Sequence, residues 1–291
     1  MNSRPIVLLA AAALYAAACG GGEPETPAVA TPTVTVNHTQ APAGSPLEIT
    51  YKFVVAENAT FKEDYRVFVH VIDVDEERMW DADHDPAIPT SQWKPGQTIE
   101  YKRTIFVPVF PYVGEATVQI GLHSKSDGAR LTLNGDHAGQ FAYRVAKLQL
   151  LPQTDNLLTV FKDGWHQAEV AVDNATIEWQ WTKKDAVLAF RNPKKAATFF
   201  LDADSPGGVF HGTQQVQVVL NDQVIDEFPL AVDERSLRRV ALTPAQLGDA
   251  EMAELHIRVD KSWIPAQVPE ARSSDKRELG IRVFHAFVDA R

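Results

Sequence analysis

Apolar and polar residues alternate along most of this chain, and a period of two restricts it to β-structure. Residues 47–53 read Leu-Glu-Ile-Thr-Tyr-Lys-Phe, which predicts a strand with one face toward solvent. Further segments of similar length are separated by turn sequences such as Lys94-Pro95-Gly96 and Asn134-Gly135. No helix-length segment repeats its apolar residues every 3.6 positions. The sequence therefore predicts an all-β protein.

A break at residues 151–156 (Leu-Pro-Gln-Thr-Asp-Asn) divides the predicted strands into two sets. About seven strands precede it, which is what an immunoglobulin-like β-sandwich requires. Eight or nine follow, with a two-residue hairpin turn expected at Asn221-Asp222 and one short helix at Thr243-Pro244-Ala245-Gln246. We expect two consecutive antiparallel β-sandwiches, an immunoglobulin-like one over residues 31–150 and a jelly roll over residues 155–291.

Short motifs in both halves resemble known modules. Residues 65–70 (Tyr-Arg-Val-Phe-Val-His) and 90–96 (Thr-Ser-Gln-Trp-Lys-Pro-Gly) resemble immunoglobulin-like modules of bacterial surface proteins. From residue 157 to 289 the chain is similar to galactose-binding-like jelly rolls that accompany bacterial polysaccharide enzymes. That similarity rests on Trp165 with Glu169, on the Asn221 turn, and on residues 275–280 (Asp-Lys-Arg-Glu-Leu-Gly). It implies a carbohydrate-binding type of domain, and neither resemblance implies a catalytic residue.

The N-terminus predicts export and lipid attachment. Residues 1–18 carry one positive charge at Arg4, then an apolar run too short to cross a bilayer, which is typical of a signal peptide. Ala16-Ala17-Ala18-Cys19 followed by glycine resembles the lipobox of bacterial lipoproteins, although the family usually has Leu where this chain has Ala16. The resemblance implies an acylated Cys19, with Gly20 after it favouring the outer membrane. Ordinary cleavage with an incidental thiol is the alternative.

Composition limits the partners of the exported chain. Residues 19–30 form a glycine- and proline-containing tether, and Cys19 is the only cysteine, so no disulfide framework is expected. Acidic residues outnumber basic ones by 38 to 28, for a net charge of −10. This charge disfavours nucleic acid and anionic lipid headgroups as partners. No second apolar segment is long enough to span a membrane, so the lipid would be the sole anchor.

Aromatic residues of the second half suggest a ligand site. Tryptophan packs on the C–H faces of sugar rings while polar side chains bond the hydroxyls. Trp179 and Trp181 lie two apart on one strand face, which we assign to the core. The residues that we expect at a ligand site lie next to turns and are Trp165, His166, His211, Lys261, Trp263, Asp275 and Arg277. The simpler interpretation of two of them is that Asp275 and Arg277 pair with each other to hold the last strand.

An acidic segment at residues 73–85 offers a weak metal candidate. Its carboxylates could bind calcium, which prefers six to eight oxygen ligands, but the spacing departs from an EF-hand loop. The simpler interpretation is a charged hairpin at the sandwich edge that discourages edge-to-edge pairing. The five candidate ligands are Asp73, Asp75, Asp81, Asp83 and Asp85.

The sequence lacks the familiar catalytic signatures. No Gly-x-Ser-x-Gly elbow, His-Glu-x-x-His helix or phosphate-binding loop is present, and the nine histidines show no zinc-ligand spacing. We expect a non-catalytic cell-envelope lipoprotein without a cofactor, which binds envelope or extracellular carbohydrate through the second sandwich. The alternatives are a protein-interaction scaffold of an envelope complex and an accessory subunit of a polysaccharide-active enzyme.

Overall fold

The computed structural model describes residues 26–109, 112–153, 159–174, 176–206 and 212–290. Strands make up nearly all of its regular structure, which confirms the predicted all-β class. Among the residues described, no helix combines the length and the apolar composition that a membrane span needs. The signal peptide, Cys19 and His211 lie outside the described residues.

The first sandwich packs a three-stranded sheet of order β1-β3-β6 against a sheet of order β2-β9-β7-β4-β5, in which β8 also pairs with β9. Side chains from both sheets share one buried cluster, to which Tyr51, Phe53, Val69 and Ile120 contribute. The strands are β1 Ala30–Val36, β2 Gln40–Pro42, β3 Pro46–Val55, β4 Tyr65–Ile72, β5 Arg78–Asp81, β6 Thr98–Phe106, β7 Gly114–Ser124, β8 Asp136–Gly139 and β9 Ala142–Leu151.

The long strands of this sandwich bury the residues that the alternation of apolar and polar residues predicted. The sandwich also contains short strands that this alternation did not predict. In β3 the residues Ile49, Tyr51 and Phe53 are buried while Lys52 is exposed. The strands β2, β5 and β8 have only three or four residues each, too few to show a period. β2 runs parallel to β9, so the expectation of a wholly antiparallel sandwich is wrong at this edge. The immunoglobulin-like assignment stays a prediction.

The second sandwich consists of two five-stranded antiparallel sheets, of order β10-β13-β18-β15-β16 and β11-β12-β19-β14-β17. From β13 onward the chain passes back and forth between the sheets, which fits the jelly-roll expectation. Its core is a second buried cluster that includes Phe199, Val218 and Leu255. The strands are β10 Thr159–Phe161, β11 Glu169–Val170, β12 Glu178–Trp181, β13 Asp185–Arg191, β14 Ala197–Asp204, β15 Gln214–Leu220, β16 Gln223–Leu230, β17 Ser236–Leu242, β18 Met252–Val259 and β19 Arg282–Asp289.

Two local predictions in this sandwich are confirmed. Asn221 and Asp222 have φ values of 50° and 61° and close the β15–β16 hairpin with Leu220 opposite Gln223, as a two-residue type I′ turn requires. Helix α1 (Pro244–Leu247) is capped by Thr243, whose side chain accepts the backbone N–H of Gln246 in a complete capping box. Three single 3-10 turns complete the helical structure of the described residues, at Thr90–Gln92, Pro265–Gln267 and Pro269–Ala271.

Candidate functional site

Trp165 and His166, two of the predicted ligand residues, are hydrogen-bonded to backbone carbonyls of β13 and of the loop before β19. The indole N–H of Trp165 donates to the carbonyl of Val187 (2.8 Å), and the ring packs against the second core. Nε2 of His166 donates to the carbonyl of Glu278 (2.6 Å). Both side chains are partly buried. Their polar atoms therefore bond the protein's own backbone, which gives each residue a structural role.

Trp263 and Lys261 lie on the loop that follows β18. Trp263 pairs with Leu279 through two backbone hydrogen bonds, and its Nε1 is buried without a hydrogen-bond partner among the described residues. Nζ of Lys261 donates to the carbonyl of Thr213 (2.8 Å) and lies 3.7 Å from Asp260. The indole N–H of Trp263 thus points into the protein and not toward solvent. His211 is not described.

Asp275 and Arg277 form the ion pair that the simpler interpretation expected. Nη2 of Arg277 donates to Asp275 (2.7 Å), and its Nη1 donates to Glu169 on β11 (2.6 Å). The hydrogen bond to Asp275, joined by that to Glu169, holds the pKa of Arg277 above its usual value. The guanidinium therefore ties the loop before β19 to the first residue of β11.

The acidic segment forms the charged hairpin that the sequence predicted, with β5 at the edge of its sheet next to β4. Asp73 accepts the backbone N–H groups of two turn residues, and Asp83 accepts that of Val69 (2.8 Å). Asp81 lies 3.4 Å from Arg78, and Asp85 lies 2.9 Å from Lys125. Because each of these four carboxylates contacts a different group, they do not converge on a common point. Among the residues described, no group of three potential metal ligands comes together, and Asp75 joins no such group.

Trp179 and Trp181 share one face of β12, and Trp181 is buried with 8% of its surface exposed. The guanidinium of Arg282 on β19 lies over both rings, at 5.2 Å from Trp179 and 5.9 Å from Trp181. Arg282 itself pairs with Asp204 through two hydrogen bonds. Val283, which pairs with Gln180, faces the core, so the two rings lie under a cation on the outer face of the sheet that contains β12 and β19, and their assignment to the core is wrong.

A polar groove opens on the outer face of the sheet β10-β13-β18-β15-β16, which we call the groove sheet. Its cavity volume is about 450 Å³. The registers place Asp185 opposite Arg258, Arg258 opposite Gln217, and Gln217 opposite Glu227, so four neighbouring strands contribute one continuous row. With strands spaced 4.7–4.9 Å apart, this row is roughly 14 Å long. The lining residues are Lys184, Asp185, Gln215, Gln217, Glu227, Arg258, Val259 and Asp260.

Hydrogen bonds within the groove fix the orientation of its side chains. Nε of Arg258 and Nδ1 of His256 each bond a different oxygen of Asp185, at 3.0 and 2.9 Å. The amide of Gln217 donates to Glu227 (2.8 Å). Partial burial raises the pKa of Asp185, but hydrogen bonds from His256 and Arg258 outweigh it and hold this pKa below its usual value. Asp185 is therefore an ionised acceptor in a prearranged polar surface.

Sequence reasoning did not select these residues, although one signal for them is present. Residues 254–260 read Glu-Leu-His-Ile-Arg-Val-Asp, a strict alternation that places three polar side chains on one face of β18 and a fourth, Asp260, directly after the strand. The three apolar residues between them are buried in the second core. What the pattern cannot give is the order of the neighbouring strands, which brings Asp185 and Gln217 beside Arg258.

Comparison with known proteins does not assign this chain to a family. No protein-family model matches it, and no curated protein sequence is significantly similar to it. Solved structures with partial likeness include a β-glucuronidase of Bacteroides uniformis, with 10% identity over 89% of this chain and a TM-score of 0.32; this chain spans 30% of that one.

Two other structures show likeness of the same low order. One is the N-terminal CBM22-1–CBM22-2 tandem domain of Paenibacillus barcinonensis Xyn10C, with 8% identity over 86% of this chain and 79% of that chain, and a TM-score of 0.27. The other is the sporulation control protein Spo0M of Bacillus subtilis, with 10% identity over 75% and 92% of the two chains and a TM-score of 0.28. Likeness of this size establishes no shared activity.

Proposed function

We propose that this protein is a non-catalytic, lipid-anchored protein of the bacterial cell envelope that binds carbohydrate in the groove of its second sandwich. One observation carries the proposal. Asp185, Arg258, Gln217 and Glu227 form a polar row across four strands, along a cavity of about 450 Å³.

The chemistry of the row suits a ligand with many hydroxyl groups. A hydroxyl both donates and accepts, so it is bound best where carboxylates, amides and guanidinium groups stand next to one another. Asp185 and Glu227 offer acceptors, Arg258 offers donors, and Gln217 offers both. Prearranged side chains also reduce the ordering cost of binding. An extended sugar chain laid across the strands would meet these groups in turn.

The low pKa of Asp185 and the distance between Asp185 and Glu227 support a binding role without catalysis. A general acid needs a pKa raised toward neutrality, whereas the pKa of Asp185 is held low by its two hydrogen-bond donors. Glu227 lies at the far end of the row, three strands away, and its carboxylate bonds Gln217. Asp185 and Glu227 are thus too far apart to act on the same bond as a glycosidase pair. Asp260, the third carboxylate of the lining, accepts the backbone N–H of Gln215 (2.8 Å).

The position in the cell follows from the N-terminal sequence. We propose that acylation of Cys19 anchors the chain at the outer membrane, and that the predicted tether, of which Val29 and Ala30 already belong to the first sandwich, holds this sandwich off the bilayer surface. In this arrangement the protein either retains envelope polysaccharide or presents carbohydrate to a polysaccharide-active enzyme as its accessory subunit.

The proposal is tested by glycan-array binding of the intact protein and of single variants. Removing a charged hydrogen-bonding group from a binding site costs about 1.5–3 kcal/mol, which is roughly a 10- to 100-fold loss of affinity. We expect this loss for Arg258→Ala and a smaller one for Gln217→Ala. Glu254→Gln is the matched control, because Glu254 lies on the same face of β18, pairs with Lys162 and does not line the groove.

Trp263→Ala tests the site that the sequence suggested. If binding is lost in Trp263→Ala and retained in Arg258→Ala, with both variants folded, the ligand binds at the loops instead of the groove. If the intact protein binds no glycan at millimolar concentration, the carbohydrate proposal is rejected.

A protein-interaction scaffold is the second candidate, and exposed apolar residues favour it. Val160 and Phe161 on β10 and Val170 on β11 are more than a third exposed, and Val172 is fully exposed. β10 and β11 are edge strands of their sheets, where unpaired backbone groups can receive a strand from another protein. Cross-linking in membranes followed by identification of a specific partner would support this candidate.

A further inference from the structure

One aromatic side chain of the first sandwich makes a specific contact with the second. The ring of Phe106, the last residue of β6, lies parallel to the imidazole of His285 on β19, with ring centroids 4.0 Å apart and an interplanar angle of 1°. Its edge also meets the ring of Phe200 on β14, at 6.4 Å and 89°. Phe106 therefore packs on two neighbouring strands of the second sandwich at once.

The imidazole beneath Phe106 is held in place by a buried carboxylate. Nδ1 of His285 bonds Asp202 (3.0 Å), and Arg235 donates two further hydrogen bonds to the same carboxylate, at 2.9 and 2.6 Å. Burial raises the pKa of Asp202, but these hydrogen bonds outweigh it and leave the pKa below its usual value. Three hydrogen bonds to an ionised group thus fix the plane against which Phe106 stacks.

A second contact lies two residues before Phe106 on β6, at Thr104. Nη2 of Arg239 on β17 donates to Oγ1 of Thr104 (2.5 Å), and the Arg239 guanidinium extends over the ring of Phe200 at 5.9 Å. Thr104 and Phe106 are two residues apart, so they point to the same side of β6. One face of β6 accordingly contacts three strands of the second sandwich.

We propose that Phe106 and Thr104 form a lock that holds the two sandwiches in one fixed orientation. Two flat rings in parallel contact resist tilting, because tilting either sandwich separates the rings, and the Thr104–Arg239 bond is a second fixed point that opposes rotation about the axis of the stack. All of these contacts use the outer face of the sheet β11-β12-β19-β14-β17. The groove opens on the outer face of the other sheet, so the lock presents the groove away from the first sandwich.

Residual dipolar couplings of backbone amides in the intact protein test the lock directly. We expect one alignment tensor to fit both sandwiches of the wild type, and two different tensors to be needed in Phe106→Ala. The imidazole protons of His285 should be shifted upfield in the wild type by the ring current of Phe106, and this shift should disappear in the variant. Phe161→Ala is the matched control, since that aromatic residue is also partly exposed but contacts Trp165 within the second sandwich.

Arg239→Ala provides an independent variant in case Phe106→Ala does not fold. It removes the bond to Thr104 without altering a buried ring, and it should increase the relative motion of the sandwiches while His285 keeps part of its upfield shift. Two unrelated tensors in the wild type, or a single tensor that survives in both folded variants, would overturn the proposal.

Discussion

The first sandwich contains a buried histidine that should make it sensitive to mild acid. His84 is 3% exposed, and its ring lies 4.7 Å from that of Tyr51. Nδ1 donates to the carbonyl of Ala82 (3.0 Å), and Nε2 accepts the hydroxyl of Tyr101 (2.9 Å). Both ring nitrogens of the neutral imidazole therefore have a hydrogen-bond partner. Burial, with Arg103 acting in the same direction, lowers the pKa of His84 from 6.5 to about 4.

The difference in pKa between the folded and unfolded states sets the size of the effect. Between pH 6.5 and pH 4 the unfolded chain binds a proton at His84 that the folded chain excludes, so stability falls as the pH falls through this window. With an unfolded pKa of about 6.5, the loss between pH 7 and pH 5 is about 2 kcal/mol, and it reaches about 3 kcal/mol at pH 4. Above pH 7 this residue contributes no pH dependence.

Urea denaturation of the wild type and of His84→Gln at pH 7 and pH 5 measures this loss. Glutamine can keep a donor toward Ala82 and an acceptor toward Tyr101 but cannot take up a proton. The free energy of unfolding of the first sandwich should therefore fall by about 2 kcal/mol less in the variant. His38→Gln, at the turn between β1 and β2, is the control and should follow the wild type. Equal losses in the wild type and His84→Gln would refute the argument.

Three further substitutions have definite expected effects on thermal or urea unfolding. Asn192→Ala should destabilise the second sandwich by about 3 kcal/mol, because its buried Nδ2 donates to the carbonyls of Leu247, Gly248 and Ala250. Gly280→Ala should cost about 2 kcal/mol or more, since a Cβ there would lie 2.5 Å from Oγ1 of Thr182 and 2.7 Å from the carbonyl of Lys183. Asp222→Gly should stabilise by about 0.5 kcal/mol, because glycine adopts the observed φ of 61° without strain. An unchanged unfolding midpoint in Asn192→Ala or Gly280→Ala would contradict the contacts described. A lowered midpoint in Asp222→Gly would contradict the assignment of the turn.

Local signals in the sequence were sufficient for much of the fold. The β15–β16 hairpin depends on two adjacent residues, and helix α1 depends on four, so both could be predicted without knowledge of the rest of the chain. The alternation in β3 likewise identifies its buried face. The short strand β2 escaped prediction because its partner, β9, is more than 100 residues away and the pairing is parallel.

The candidate site was harder to predict because its parts meet only in the folded chain. The sequence drew attention to Trp165 and Trp263 as aromatic residues beside turns, yet their indoles pack or bond within the protein. Arg258 and Gln217 are ordinary polar residues on alternating strands, and only the sheet order places them side by side. The bridge from Arg277 to Glu169 shows the same limitation, since the two residues are 108 positions apart.

Backbone amide chemical shifts, recorded while a bound oligosaccharide from the glycan array is titrated into the intact protein, test the central claim most directly. The groove proposal predicts that the largest changes fall on β13, β18, β15 and β16, centred on Arg258 and Gln217, and that they are lost in Arg258→Ala. Changes centred instead on Trp165, Trp263 and the loop at residues 275–280, with the groove strands unaffected, would contradict it.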